Sequence, residues 1–272
     1  MIFFPNCKIN LGLQVLSRLE NGYHTIESVM IPIPLCDVLE LIPSTDGNTR
    51  LVTSGNTVDC PPEKNLVVKA YNAVKEIYPQ LPPTHIYLRK IIPDGAGLGG
   101  GSSDAAFTIT GLNTLYNIGL SEERMEHIAS TIGADCPFFI RNRAALATGT
   151  GTELTPVPNP IPEGYVILLA KPYESVSTKA AYAGITPDSS RPSIIELLNS
   201  PIHQWQGKIQ NDFEKTVGKE VPRILEIKDF FIKSGAVYTA MSGSGSAVFA
   251  IFTPEEADRI PSSIPEKVFR LE

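Results

Sequence analysis

The sequence predicts an α+β protein of two domains, and three observations predict it. Extended and helical segments mix in both halves with no repeating strand–helix unit, which favours α+β over a doubly wound parallel sheet. The chain has 272 residues, room for two ordinary domains. The stretch 156–162 has a proline at every second position. It suits neither a helix nor a central strand, so it marks a boundary between residues 1–157 and 158–272.

The elements follow from local patterns. Residues 2–15 alternate, with Cys7, Ile9, Leu11, Leu13 and Val15 on one face and Lys8, Asn10, Gly12 and Gln14 on the other. That is the pattern of a half-buried strand. Asn21-Gly22 is a hairpin signal, and 26–33 and 38–42 read as further strands. Residues 44–48 and Pro61-Pro62 are turn-rich. Residues 65–77 carry Leu66, Val67, Ala70, Val74 and Ile77 at helical spacing. A strand over 85–92 runs into a glycine-rich loop, and a helix over 102–116 follows, with Gly119 past its end. Ser121 is a good N-cap for another helix, with Glu122 and Glu123 in its first turn. Gly133 ends that helix before Ala134-Asp135-Cys136-Pro137. Beyond the prolines, 165–170 is a buried strand and 193–198 and 221–233 are helical, the latter stopped at Gly235. Short strands over 238–241 and 247–252 flank residues 242–246, and a helix over 254–260 and a strand over 268–271 complete the chain.

Bulk composition narrows the function. Hydrophobic content of 42% and charged content of 19% suit a globular protein with a sizeable core. The net charge of −6 argues against nucleic acid as the main partner. Four scattered cysteines without C-x-x-C spacing point to reduced thiols in the cytoplasm rather than a disulfide frame or zinc site. No His-x-x-x-His pairing suggests a metal, and neither a signal peptide nor an apolar run near the ~20 residues of a membrane span is evident. A membrane is therefore not an expected partner.

Four motifs carry candidate chemistry. Residues 95–101 place five glycines in seven positions at a strand–helix junction. Such a loop can turn its backbone N–H groups toward one point, and the helix start adds unpaired donors and partial positive charge. This is a phosphate cradle. The loop matches G-x-G-x-x-G, with Glu122 and Glu123 downstream, so a nucleotide-dependent oxidoreductase competes. No βαβ pattern precedes it, however, and no Gly-Lys-Ser/Thr makes it a Walker A loop. Lys8 and Asn10 with Tyr23-His24 form the second motif. Taken alone they fit a solvated strand face and a turn. Asp135, within residues 133–137, alone fits a turn or cap residue. Residues 241–248 fit a tight hairpin or, more sharply, a second anion nest.

Together these motifs resemble the GHMP kinase superfamily, in order and over nearly the whole chain. Residues 93–103 are similar to its P-x-G-x-G-L-G-S/G-S-S motif. Residues 5–11 with 21–24, 133–139 and 241–249 resemble blocks of a member that acts on a cytidine-bearing alcohol in isoprenoid precursor synthesis. The resemblance implies an N-terminal domain like ribosomal protein S5 domain 2 and a ferredoxin-like C-terminal domain. It implies ATP and Mg²⁺, with Asp135 as general base and Lys8 as its charged partner. Asn65 and Lys90 would lie near adenine, with Pro93, Gly95, Gly97, Leu98, Gly99, Gly100, Gly101, Ser102 and Ser103 around the triphosphate and Ser103 as a metal contact. Asn10 and Thr178 would meet the polyol, Tyr23 would stack on cytosine, and His24 would hydrogen-bond to it. Cys7, Asn21 and Asp104 depart from the family pattern, and Asp104 adds a negative charge near the phosphates. Kinases for mevalonate or homoserine, and a non-catalytic protein on the same scaffold, are the rival readings. Tyr23-His24 argues against the first, and retention of Lys8 and Asp135 against the second.

Overall fold

The computed structural model describes residues 1–56, 60–260 and 267–271. In chain order the elements are β1 (Ile2–Phe3), β2 (Asn6–Arg18), β3 (His24–Cys36), β4 (Val38–Pro43), β5 (Arg50–Gly55), α1 (Leu66–Ile77), β6 (Thr84–Lys90) and α2 (Gly100–Leu115). Next come α3 (Glu122–Ile132), α4 (Cys136–Arg141), β7 (Ala145–Thr148), β8 (Glu153–Pro156), β9 (Val166–Ala170), α5 (Thr178–Tyr182) and α6 (Ile194–Leu198). The last are α7 (Glu214–Glu220), α8 (Arg223–Lys233), β10 (Tyr238–Met241), β11 (Val248–Phe252), α9 (Pro254–Ala257) and β12 (Val268–Leu271). The expected α+β mixture is present.

The chain forms two compact units that interleave along the sequence. The first draws on Met1–Cys7, Leu35–Asp94 and Gly99–Arg143, the second on Lys8–Pro34, Gly95–Leu98 and Ala144–Glu272. The division at 157/158 is of another kind: the proline run leads out of β8 inside the second unit.

In the first unit the sheet order is β1-β4-β6-β5. Alternation turns Leu39 and Leu41 of β4 and Ile86 and Leu88 of β6 inward, beneath Val67, Ala70 and Val74 of α1 and Ala105, Ile109 and Leu112 of α2. Asn65 starts α1, its side chain accepting from the Val67 N–H. Gly111 permits close packing of α2, since a Cβ there would crowd Leu41 and Phe3. β5 was not evident in the sequence. It is polar and largely exposed, and its pairing with β6 is what makes it a strand.

The second unit holds two sheets, β2-β3-β7-β8 and β10-β11-β9-β12. The latter is antiparallel throughout. Its strands, numbered by sequence, lie in the order 2-3-1-4 with helices between the first and second and between the third and fourth, the ferredoxin-like arrangement expected. Leu168 and Ala170 of β9 with Ala250 and Phe252 of β11 pack on Ile224, Ile227 and Phe231 of α8.

Three expectations need correction. β2 is not half-buried: its polar face is enclosed as well, with Lys8 3%, Asn10 1% and Gln14 5% exposed. The reason is hydrogen bonding, for each of these polar groups finds partners inside the protein. The last helix ends at Ala257 rather than 260. The helix after the glycine loop begins at Gly100, two residues before the expected start.

Candidate active site

The glycine loop changes compact unit midway. Gly95–Leu98 clusters with the second unit and Gly99 onward with the first. Gly95, Gly97 and Gly99 all have positive φ, +58°, +73° and +69°, a region costly for other residues. Gly99 precedes α2, whose first turn contains Gly101, Ser102 and Ser103. The unpaired N–H groups and positive dipole end of this helix favour an anion.

Within the second unit, the arm Gly95–Leu98 is tied to the strand carrying Lys8. The Lys8 N–H donates to the Leu98 carbonyl at 3.0 Å. Lys8 Nζ donates to Asn10 Oδ1 at 2.5 Å, and Asn10 Nδ2 donates to Ser28 Oγ at 2.8 Å. Asn10 thus uses both ends of its amide to aim the Lys8 ammonium. The turn between β10 and β11 packs on the same arm. Ser242 Oγ donates to the Gly97 carbonyl at 3.0 Å, and the Ala247 N–H donates to the Ala96 carbonyl at 3.1 Å. The 242–246 segment is therefore a hairpin turn that also shapes the glycine loop.

Gly97 has no room for a side chain, because a Cβ would collide with the Ser242 carbonyl. Gly97→Ala is expected to lower kcat/KM for a nucleotide about a hundredfold by displacing the arm, with circular dichroism unchanged. Steady-state kinetics on the folded variant check this.

Also in the second unit, the His24 ring stacks on Tyr182 with centroids 4.8 Å apart and 16° between planes. Tyr182 in turn meets Phe213 edge-on at 4.7 Å. Tyr23 is 67% exposed, its N–H held by Asn21 Oδ1. Thr178 begins α5, and its hydroxyl lies 3.2 Å from Ser244 Oγ.

The first unit contains a cavity of about 340 Å³. Leu51, Leu66 and Leu88 supply apolar wall, and Asn65, Lys90 and Gly101 polar edge. That composition suits a flat heterocycle with a polar rim. Lys90 Nζ is held by Asp37, and by Asp104 at 2.6 Å. Asp37 also accepts from the N–H groups of Ile91 and Ile92, at 2.5 and 2.8 Å. Burial works against the Lys90 charge, but Asp104 and Asp37 outweigh it and hold the ammonium above the ordinary lysine range. Burial is also the largest influence on Asp104, raising its carboxyl toward the neutral form despite Lys90. Asp104 is 2% exposed; one carboxylate oxygen pairs with Lys90, and the other is buried without a hydrogen-bond partner.

Asp135 precedes α4, at the N-cap position, but its side chain makes no capping hydrogen bond. The cap role that the local sequence suggested is thus not filled by the carboxylate. Beside it the Cys136 thiol is pushed up to about 11, chiefly by burial, leaving it a poor nucleophile.

Ser103 Oγ is buried without a hydrogen-bond partner. An orphaned hydroxyl at a helix N-terminus fits a hard cation carried by phosphate oxygens. Among the described residues no group of three or more His, Cys, Asp and Glu is placed to hold a metal ion.

The structure thus brings Lys8 and Asn10 together with Gly95–Leu98 in one unit, and Asn65, Lys90 and Gly101 around one cavity in the other. Pro93 and Ser102 flank the loop's two sides along the chain. Sequence reasoning missed Tyr182 and Asp37, which meet His24 and Lys90 across long sequence separations that no local spacing reveals.

Comparison with known proteins agrees. The family model for the GHMP kinase N-terminal domain matches residues 65–143, and that for the C-terminal domain matches 193–270. A Parabacteroides distasonis protein named 4-diphosphocytidyl-2-C-methyl-D-erythritol kinase is 48% identical over 252 residues, spanning 93% of this chain and 92% of that protein. A Bacteroides fragilis protein of the same name is 46% identical over 258 residues, spanning 94% and 93%. The crystal structure of a 4-(cytidine 5'-diphospho)-2C-methyl-D-erythritol kinase matches with a TM-score of 0.84 at 30% identity, covering 100% of this chain and 98% of that one. Homoserine kinase from Cytophaga hutchinsonii, at 17% identity and a TM-score of 0.73 over 98% of this chain and 94% of that one, shares the fold alone. The chain belongs to the GHMP kinase family, alongside the 4-diphosphocytidyl-2-C-methyl-D-erythritol kinases.

Proposed function

We propose that this protein uses ATP to phosphorylate the 2-hydroxyl of 4-diphosphocytidyl-2-C-methyl-D-erythritol, a step in non-mevalonate isoprenoid precursor synthesis. The observation that carries this reading is the 48% identity over 93% of the chain to a kinase of that name. An N-terminal ATP-binding domain over 1–157 and a C-terminal domain over 158–272 accord with the two family matches, which fall on either side of that division. The four cysteines are all free thiols, in keeping with a cytoplasmic setting. Among the described residues no helix is long and apolar enough to cross a membrane.

The chemistry follows from the residues. The substrate oxygen forms a bond to the γ-phosphorus as the bond to the β–γ bridging oxygen breaks, and ADP leaves. Phosphoryl transfer depends on positioning and charge stabilisation because its transition state is loose. Asp135 accepts the hydroxyl proton as the O–P bond forms, so the alcohol need not ionise first. Lys8, aimed by Asn10, offsets charge on the transferring group. The amides of residues 95–103 hold the triphosphate, and Asn65 and Lys90 border the adenine. Mg²⁺, with Ser103 among its contacts, supplies charge neutralisation at the phosphate oxygens when bound. Tyr23 stacks on cytosine, His24 hydrogen-bonds to it, and Asn10 and Thr178 flank the polyol.

ADP formation with ATP and Mg²⁺, measured in parallel with the cytidine substrate, mevalonate and homoserine, tests the reading. Turnover with the cytidine compound alone is expected; turnover with another alcohol instead would overturn the substrate assignment. Tyr23→Ala is expected to raise the KM for the cytidine substrate by about 5- to 100-fold, the worth of one base–aromatic stack, with the KM for ATP unchanged. An unchanged substrate KM would remove Tyr23 from the pocket.

A further inference from the structure

The turn that shapes the glycine loop is itself held from behind by two side chains. Asn211 is 2% exposed, and its Nδ2 donates to the carbonyls of Met241 and Gly243, both at 2.8 Å. Its Oδ1 accepts from the Phe213 N–H at 3.0 Å. Glu214 Oε1 accepts from the Met241 N–H at 2.7 Å, and its other oxygen pairs with Lys228. The backbone on both sides of Asn211 is fastened to β2: the Leu13 N–H donates to the Gln210 carbonyl at 3.0 Å, and the Asp212 N–H to the Leu13 carbonyl at 2.9 Å. The brace therefore connects the strand that carries Lys8 and Asn10 to the turn at 241–243. From that turn, contacts run to Ala96 and Gly97 through Ser242 Oγ and the Ala247 N–H. The Asn10 N–H also donates to Ser242 Oγ at 3.3 Å.

We propose that Asn211 and Glu214 are positioning residues that set the Ala96-Gly97 arm for the ATP phosphates. This rests on the function proposed above. Neither residue is assigned to touch nucleotide. Each acts through the turn, whose carbonyls and N–H would otherwise be buried without partners, so that the turn would shift to find them. The Gly97 backbone lies against Ser242 without space for a methyl group, so a displaced turn displaces the arm.

The test separates positioning from stability. Asn211→Asp replaces two donors by an acceptor facing two carbonyls. It is expected to raise the KM for ATP about tenfold or more and to lower kcat. Arg191→Gln is the control. It removes the ion pair with Asp212, one residue along, and touches no atom of the turn. It should lower Tm without moving the KM for ATP. An unchanged ATP KM in Asn211→Asp, or an equal rise in Arg191→Gln, overturns the proposal. If Asn211→Asp does not fold, Glu214→Leu should raise the ATP KM while Glu214→Gln, which keeps the acceptor for Met241, should restore it. Equal values in that pair also overturn it. Should the wild type turn over no alcohol offered, the functional reading fails instead. Equilibrium ATP binding by wild type and Asn211→Asp then decides the brace, with weaker binding by the variant supporting it and equal binding overturning it.

Discussion

Asp135→Asn is expected to lower kcat by a factor of about 10²–10⁴, the range for loss of a general base, while leaving ATP affinity nearly intact. The substitution keeps the size and shape of the side chain and removes its capacity to take a proton. Asp135 makes no capping hydrogen bond at the start of α4, so the helix does not rely on the carboxylate for its first turn. Cys136 next to it cannot stand in as base, since burial keeps its thiol protonated well above neutrality. Steady-state kinetics with calorimetric ATP binding check both halves. Full activity would remove Asp135 from the mechanism, and loss of ATP binding would make its role structural.

Lys90→Met is expected to cost about 3–5 kcal/mol of stability, because it leaves two buried carboxylates without their countercharge. Asp37 is 0% exposed and Asp104 2%. Methionine fills the space of the lysine stem, so packing is not the main loss. Asp37 keeps the N–H groups of Ile91 and Ile92, but Asp104 retains only the methionine in place of its ammonium partner. Asp104→Asn is the contrasting change and should alter stability by under about 1 kcal/mol. Burial already raises that carboxyl toward its neutral form, and Lys90 keeps Asp37. Urea unfolding of the two variants checks the pair. Equal stability of Lys90→Met and wild type would show that the triad does not hold this part of the first unit together.

These two residues show how unevenly the site was legible. Asp135 stood out only through its family block, since residues 133–137 alone read as a turn. Lys90 was placed near adenine by the same resemblance. Its ties to Asp37 and Asp104 were invisible, because 53 residues separate Lys90 from Asp37. The helices over Leu66–Ile77, Glu122–Ile132 and Arg223–Lys233 were readable because the apolar spacing of the first, the cap at Ser121 before the second and the stop at Gly235 after the third are all local signals. β5, α4, α5 and α7 were not. They are short or polar, and neighbours rather than periodicity stabilise them.

By itself the sequence determined the strand–glycine–helix junction, read as 85–92 and 102–116 and found as Thr84–Lys90 and Gly100–Leu115, because glycine conformation and helix ends act through the local backbone. Only the tertiary structure decided that Lys8 and Asn10 are enclosed rather than solvated. Alternation says which residues share a face of a strand. It does not say what covers that face, and here the cover includes Ser242, 232 positions from Asn10. Burial in turn converts an ordinary polar pair into an aimed ammonium, since a buried charge must be held by hydrogen bonds where an exposed one would be held by water.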